Sequence, residues 1–157
     1  MTKQITKGLT MLLLIVAVAF VTAVASANGQ SKHQVAKIPF EFIVGDKTLP
    51  AGQYDVTGIT ANNEVLRIRA TEQNQTVLRM TNSITHSSPA DKGKLVFRRY
   101  ADQYFLAEVW SAGDNSGRQL MKSKRERALQ RELASIPSKG EWAQGGYEIV
   151  EVAAVRH

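Results

Sequence analysis

Few side chains in this sequence are suited to catalysis or metal binding. The chain has no cysteine, and its three histidines, His33, His86 and His157, are too far apart to give the ligand spacing of a metal site. Neither a G-x-S-x-G elbow nor an S-x-x-K motif supplies an activated nucleophile. Paired carboxylates from distant strands would not be visible in sequence, but Glu41 and Glu108 are expected on solvated outer faces. We therefore predict no catalytic residue, no metal and no cofactor.

A basic segment in the second half of the chain is a candidate for binding a partner. Ser123 and Glu126 have the spacing of a capping box, and Pro137 ends the segment, which predicts a helix over about residues 123–136. An apolar stripe at helical spacing would dock this helix, and it consists of Met121, Ala128, Leu129, Leu133 and Ile136. The other faces carry five cations, namely Lys122, Lys124, Arg125, Arg127 and Arg131.

The positive charge of this helix has two interpretations. We favour a solvated surface with no partner. The alternative is a site for an anionic polymer or envelope surface, such as a polysaccharide or a lipid head group, with nucleic acid as a less favoured partner. Lys122 and Glu126 attract each other, but Arg127 and Arg131, also four residues apart, repel, so the helix charges are not arranged for helix stability alone.

The residues before the helix predict a β-hairpin with one aromatic face. Residues 94–100 and 104–110 would pair across a three-residue turn with Tyr100 opposite Tyr104. The core face would then contain Leu95, Phe97, Arg99, Phe105, Ala107 and Val109. The other face would contain Lys94 opposite Trp110, Arg98 diagonal to Glu108, and the rings of Tyr100, Tyr104 and Trp110. We favour a packing role for this face, and a ligand-binding strip is the alternative.

The first 27 residues have the organisation of a signal peptide. Lys3 and Lys7 give a positive start, residues 9–24 form an uncharged apolar run, and Ala25 and Ala27 mark an A-x-A cleavage site. Cleavage would leave residues 28–157 as one domain and lower the formal net charge from +6 to +4. An uncleaved anchor is the alternative, but the run is short for a span of about 20 residues. We predict export to the periplasm or beyond, with no stable membrane span after cleavage.

The remaining sequence predicts about seven short strands. A loose leader is expected over 28–34 and a flexible loop over 81–93, with Gly-rich turn chemistry over 111–117. Predicted strands outside the hairpin include 35–44, 64–70, 75–80 and 147–155. Short strands with regular turn signals are typical of an all-β fold. We therefore predict an antiparallel sandwich or small barrel with one helix in the C-terminal half.

Several motifs resemble a family of small uncharacterised exported bacterial proteins. They are Pro39-Phe40-Glu41-Phe42-Ile43-Val44-Gly45, Leu49-Pro50-Ala51-Gly52-Gln53-Tyr54, Leu95-Val96-Phe97 and Tyr104-Phe105-Leu106-Ala107-Glu108-Val109-Trp110. The resemblance covers nearly all of the chain after residue 27. It implies export and a single domain, and it implies no activity and no catalytic residues.

These observations predict an exported, non-enzymatic binding or structural module of the cell envelope or secretome. Its candidate contact residues are the aromatic strip and the basic helix. The alternative is a hydrolase of an envelope or environmental polymer, with a site assembled across strands.

Overall fold

The computed structural model describes residues 33–60, 62–135 and 146–156, which all belong to the unit Ser31–His157. The predicted signal peptide with Ala25 and Ala27 lies outside the described residues, as do Ile136, Pro137 and His157. The elements are β1 (His33–Ile38), β2 (Phe42–Val44), β3 (Lys47–Leu49), β4 (Gly52–Gly58), β5 (Val65–Ala70), β6 (Thr76–Thr85), β7 (Gly93–Tyr100), β8 (Gln103–Trp110), β9 (Ser116–Leu120), α1 (Lys124–Ala134) and β10 (Glu148–Arg156).

Eight of these strands close into an antiparallel barrel. Their order around the wall is β8-β7-β10-β1-β4-β5-β6-β9, and β9 pairs back onto β8. The first and last strands of the described chain, β1 and β10, lie side by side with Gln34 opposite Arg156. The all-β prediction is therefore confirmed in its barrel form, with one helix.

The short strands β2 and β3 are additions to the barrel wall. β2 runs parallel to the first half of β8, with Phe42 opposite Tyr104, and the second half of β8 pairs with β9. The predicted strand 35–44 is interrupted at Pro39, which has no N–H to donate to a ladder. Its second part thereby becomes β2, which pairs with a different strand from β1.

Period-two alternation along each strand fills the barrel interior. Side chains that point inward form one buried apolar cluster, including Ala36, Ile38, Tyr54, Val56, Leu66, Ile68, Val77, Leu95, Phe97, Leu106, Val109 and Leu120. Phe42, Val44 and Leu49 of the added strands join the same cluster. The interior is therefore packed with side chains, as expected for a barrel of eight strands.

The register predicted for the hairpin β7–β8 is wrong in the half nearest the turn. The turn has two residues, because Tyr100 pairs with Gln103, and Ala101 takes a positive φ of 49°. Between Val96 and Phe97 the register shifts by one residue, which leaves Ala107 unpaired in a bulge. Beyond the bulge, the predicted pairing of Lys94 with Trp110 is correct.

The predicted loops also differ from the structure. β6 continues to Thr85, and its second half pairs with β9, so the flexible loop predicted over 81–93 and the turn predicted over 111–117 both contain strand residues. β1 begins at His33, inside the predicted leader. The second half of β6 consists mainly of Ser, Thr and Asn, and β9 begins with Ser-Gly, so a strand with one solvated face resembles a loop in sequence there.

Candidate functional site

Helix α1 begins as its sequence predicts, but its first acidic residue has a different partner. Ser123 is the N-cap, and its side chain accepts a hydrogen bond from the backbone N–H of Glu126 at 3.1 Å. The Glu126 carboxylate turns toward β7, where it accepts bonds from Arg98 at 2.5 and 3.2 Å and from the Tyr100 hydroxyl at 3.2 Å. All three side chains are buried. Helix α1 is therefore attached to the barrel by a buried ion pair.

The Tyr100 hydroxyl acts only as a donor in this network. Burial raises the pKa of Tyr100, and the negative charge and hydrogen bond of Glu126 raise it further. The phenol therefore stays neutral and, together with Arg98, supplies the hydrogen-bond donors of the Glu126 carboxylate. The predicted diagonal contact of Arg98 with Glu108 is replaced by this pair with Glu126, because the helix covers the outer face of β7.

Apolar contacts complete the docking of the helix. Leu129 and Leu133 pack on a small outer cluster formed by Ile43, Tyr100 and Phe105. Of the predicted apolar stripe, these two leucines reach the barrel, whereas Met121 and Ala128 are exposed. The docking face of the helix thus combines the carboxylate of Glu126 with Leu129 and Leu133, which follow it by three and seven residues.

Two of the five predicted cations help to hold the helix in place. Arg125 donates to Thr48 of β3 at 3.3 Å and to Gln103 of β8 at 2.9 Å. Lys122 donates to Gln130 at 2.9 Å, and its ammonium lies 5.2 Å from the centre of the Tyr147 ring. These contacts give Arg125 and Lys122 a role within the fold.

The other three cations are directed to solvent. Lys124, Arg127 and Arg131 are exposed and have the i, i+3, i+7 spacing that places side chains on one face of a helix. Arg131 donates to the carbonyl of Arg127 at 3.2 Å, and no ion pair joins any of the three to an acid among the described residues. We call Lys124, Arg127 and Arg131 the cationic face.

The three predicted aromatic residues do not form a strip. Tyr100 lies beneath helix α1, and Tyr104 stacks on Phe40 with ring centres 3.9 Å apart at one end of the barrel interior. Trp110 is only 1% exposed, because His86 stacks on its ring at 4.2 Å. The bulge at Ala107 separates these rings, since it places Tyr104 and Trp110 on opposite sides of β8.

A polar cluster on the outer wall was not predicted from the sequence. Asp55 of β4 pairs with His33 Nε2 at 2.6 Å and accepts a bond from the Thr57 hydroxyl at 2.7 Å. Burial works to raise the pKa of Asp55, but the hydrogen bonds from Thr57 and His33 and the charges of His33 and Arg67 outweigh it and lower the pKa. The sequence feature that could have predicted this cluster is the i, i+2 spacing of Asp55 and Thr57, which places both side chains on one face of a strand. It is informative only once these residues are known to lie in a strand.

A small polar cavity lies at the end of the barrel remote from the β7–β8 turn. Gln34 is buried and donates to the Ser111 hydroxyl at 2.8 Å, while its Oε1 has no hydrogen-bond partner within the described chain. The cavity of about 40 Å³ is also lined by Asn63 and Arg118. A water molecule requires about 10–15 Å³, so this cavity has room for water but not for a larger ligand.

The two carboxylates considered as possible catalytic acids, Glu41 and Glu108, have different surroundings. Glu41 is exposed between β1 and β2. Glu108 accepts a bond from the Trp110 indole N–H at 2.8 Å. Within residues 33–60, 62–135 and 146–156, no group of three or more His, Asp or Glu side chains could hold a metal ion. No helix in the same ranges has the length and apolar character needed to cross a membrane.

Comparisons with known proteins add no assignment to this geometry. No protein-family model, curated protein or solved structure matches the chain.

Proposed function

We propose that the protein is an exported, non-enzymatic binding module that holds an anionic polymer or envelope surface on the cationic face of helix α1. The observation that carries the proposal is the division of the five cations. Arg125, although also exposed, donates to side chains of β3 and β8, and Lys122 donates to a side chain further along the helix. Lys124, Arg127 and Arg131 are exposed together, and among the described residues only the side chain of Arg131 donates, to a backbone carbonyl of the helix itself.

The placement of Lys124 and Arg127 works against the stability of the helix, whereas Arg131 lies in the last turn, where the dipole favours a cation. Lys124 is the first residue of α1, where the helix dipole is positive and disfavours a cation by about 0.3–1 kcal/mol. Arg127 and Arg131 are four residues apart and repel each other. An anion bound on the cationic face would relieve both costs, which supports a role in binding rather than in folding.

The attachment of the helix supports the same proposal. A flexible basic tail would lose conformational freedom on binding, but α1 is fixed by the Glu126–Arg98 pair and by Leu129 and Leu133. The cationic face is therefore preorganised, and its three side chains can contact successive negative charges of a polymer or a charged surface.

Binding to inorganic polyphosphate tests the proposal. The variant K124A/R127A/R131A should bind more weakly and reduce the magnitude of the slope of log K against log salt by about 2–2.7, since each neutralised phosphate contributes about 0.7–0.9. The control K37A/K47A/K92A removes the same charge from exposed lysines of β1, β3 and the β6–β7 loop and should have a much smaller effect. Equal losses in both variants would attribute binding to net charge alone and contradict the proposal.

Export is tested on the same protein. The chain recovered outside the cytoplasm should have the mass of residues 28–157, because cleavage is expected after Ala27. Recovery of the intact chain in the cytoplasm would contradict this part of the proposal.

A further inference from the structure

The exposed apolar side chains are concentrated on one region of the barrel wall. Among the described residues, the large hydrophobic side chains with high exposure are Ile59, Leu78, Met80, Met121, Ile149 and Val155. Of the first four, Ile59 follows the end of β4, Leu78 and Met80 lie on the outer surface of β6, and Met121 follows the end of β9. These strands are neighbours in the sheet order β4-β5-β6-β9. Single exposed apolar residues are ordinary, but a contiguous group indicates an interaction site.

Strand register shows that these side chains are neighbours. The N–H of Ile59 donates to the carbonyl of Val65 at 3.0 Å, and Val65 lies opposite Met80. The β6–β9 ladder begins at the pair Thr81–Leu120, so Met80 and Met121 are the next residues beyond its end. Leu78, Met80 and Met121 line a common groove. We call Ile59, Val65, Leu78, Met80 and Met121 the apolar row.

The two methionines are the most exposed members of the apolar row. Met80 is 70% exposed and Met121 is 66% exposed, although methionine is usually buried. The other two methionines of the chain, Met1 and Met11, lie in the predicted signal peptide. Because the thioether side chain is flexible and polarizable, adjacent exposed methionines suit contact with an irregular or fluid apolar partner.

The charges beside the apolar row are mostly positive. Arg67 and Arg69 follow Val65 on the same outer face of β5, and Lys124 begins helix α1 three residues after Met121. The acidic neighbours are Asp46, which lines the groove, Glu64, next to Val65, and Asp55, which lies opposite Arg69. Arg79, which also lines the groove, is a fourth cation, so positive charges still outnumber negative ones. A second copy of this surface would bring like charges together, whereas a layer of anionic head groups over acyl chains complements both the cations and the apolar row.

We propose that the apolar row enters the interfacial region of an anionic lipid bilayer while Lys124, Arg67 and Arg69 contact its head groups. The inference rests on the proposed function and deepens it, because it identifies the anionic surface as lipid. The protein would lie on the bilayer without spanning it, since binding of this type depends on shallow apolar contact together with attraction to anionic head groups.

Vesicle sedimentation compares two classes of variant in the exported protein. Vesicles of phosphatidylglycerol and phosphatidylcholine in equal amounts should bind the protein, and pure phosphatidylcholine vesicles should bind it far less. M80S/M121S should weaken binding to the anionic vesicles by about tenfold or more and leave polyphosphate binding unchanged. The matched control I149S/V155S replaces two exposed apolar residues of β10 and should leave vesicle binding unchanged.

The outcomes separate this inference from the proposed function. Unchanged vesicle binding by M80S/M121S would overturn the lipid contact, while polyphosphate binding through the cationic face would still support the proposed function. Vesicle binding and polyphosphate binding that both persist in K124A/R127A/R131A would contradict the proposed function and the head-group contact of Lys124. Loss of vesicle binding in M80S/M121S would in that case still support the contact of the apolar row with lipid. An oligomer that dissociates in M80S/M121S would show that a second copy covers the row, and it would also overturn the lipid contact.

Methionine methyl NMR gives a readout that does not depend on a variant. With ¹³C-methyl methionine, the processed chain has signals from Met80 and Met121 only. Both should shift on addition of anionic bicelles and stay in place on addition of polyphosphate. Unshifted signals in the presence of bound bicelles would exclude the apolar row from the contact.

Discussion

At the scale of single residues, Asp55 makes the stability of the barrel wall depend on pH. It accepts a hydrogen bond from Thr57 and pairs with His33, and its pKa in the folded protein is below the ordinary value of 3.8. A carboxyl group with a lowered folded pKa stabilises the fold fully at pH values above 3.8, and this stabilisation is lost as the pH falls through the folded pKa.

We expect D55N to reduce the acid sensitivity of the protein. The free energy of unfolding, measured with urea between pH 6 and pH 2, should fall less steeply below 3.8 in D55N than in the parent protein. D102N, which changes an exposed carboxyl in the β7–β8 turn, serves as the control. A D55N profile parallel to that of the parent would contradict the assignment of Asp55.

At the scale of elements, the attachment of helix α1 depends on one buried carboxylate. Glu126 is only 2% exposed and compensates the charge of Arg98, which is also buried. Removing one partner of a buried ion pair leaves an unpaired charge away from water, which costs about 3–5 kcal/mol. This is a large fraction of the 5–15 kcal/mol, roughly, by which single domains are stable.

We therefore expect E126A to destabilise the protein by about 3–5 kcal/mol in urea unfolding. E132A, which changes an exposed acid on the same helix, should cost no more than about 0.5 kcal/mol. The double variant R98M/E126L should recover much of the loss, because it removes both charges together. If E126A and E132A proved equally mild, the ion pair would not be what attaches the helix.

At the scale of the whole molecule, Gly117 lies in the seam between β8 and β9 that closes the barrel. It pairs with Trp110, and a Cβ at this position would meet the indole ring at 2.7 Å. The ring cannot move outward freely, because His86 stacks on it and Glu108 accepts its N–H. Closure of the barrel therefore requires a residue without a side chain at position 117.

We expect G117A to destabilise the protein by about 1–3 kcal/mol, the usual cost of overpacking. G52A is the matched control, because a Cβ there would make an ordinary contact with Tyr54 at 3.7 Å. Thermal unfolding of both variants measures the difference, and W110L should reduce the cost of G117A if the indole is the obstacle. A G117A variant no less stable than G52A would show that the seam adjusts.

The predicted and observed structures agree where local pattern is sufficient. The capping role of Ser123 depends on neighbouring residues, and the helix around it was predicted close to its observed bounds. The pairing of Lys94 with Trp110 follows from alternation along two adjacent strands and was also predicted correctly. The last strand, β10, agrees with the strand predicted over 147–155 from its β-branched residues.

Pairing between strands decided the rest. The joining of β1 to β10 and the pairing of β6 with β9 bring together residues distant in sequence. The bulge at Ala107 and the Gly117–Trp110 pair lie between strands adjacent in the chain, but alternation along the strands shows neither of them. The cationic charge of helix α1 is evident from composition, but only its docking determines that Arg125 donates to Thr48 and Gln103 of the barrel while the cationic face is left to solvent.

The sequence by itself therefore determined the all-β class, the helix and the candidate cations, because propensity, capping and alternation act over a few residues. The tertiary structure decided barrel closure, the separation of the aromatic rings and the grouping of Met80 with Met121. These features depend on strand order and register, and they are fixed only when distant strands bury their apolar faces together.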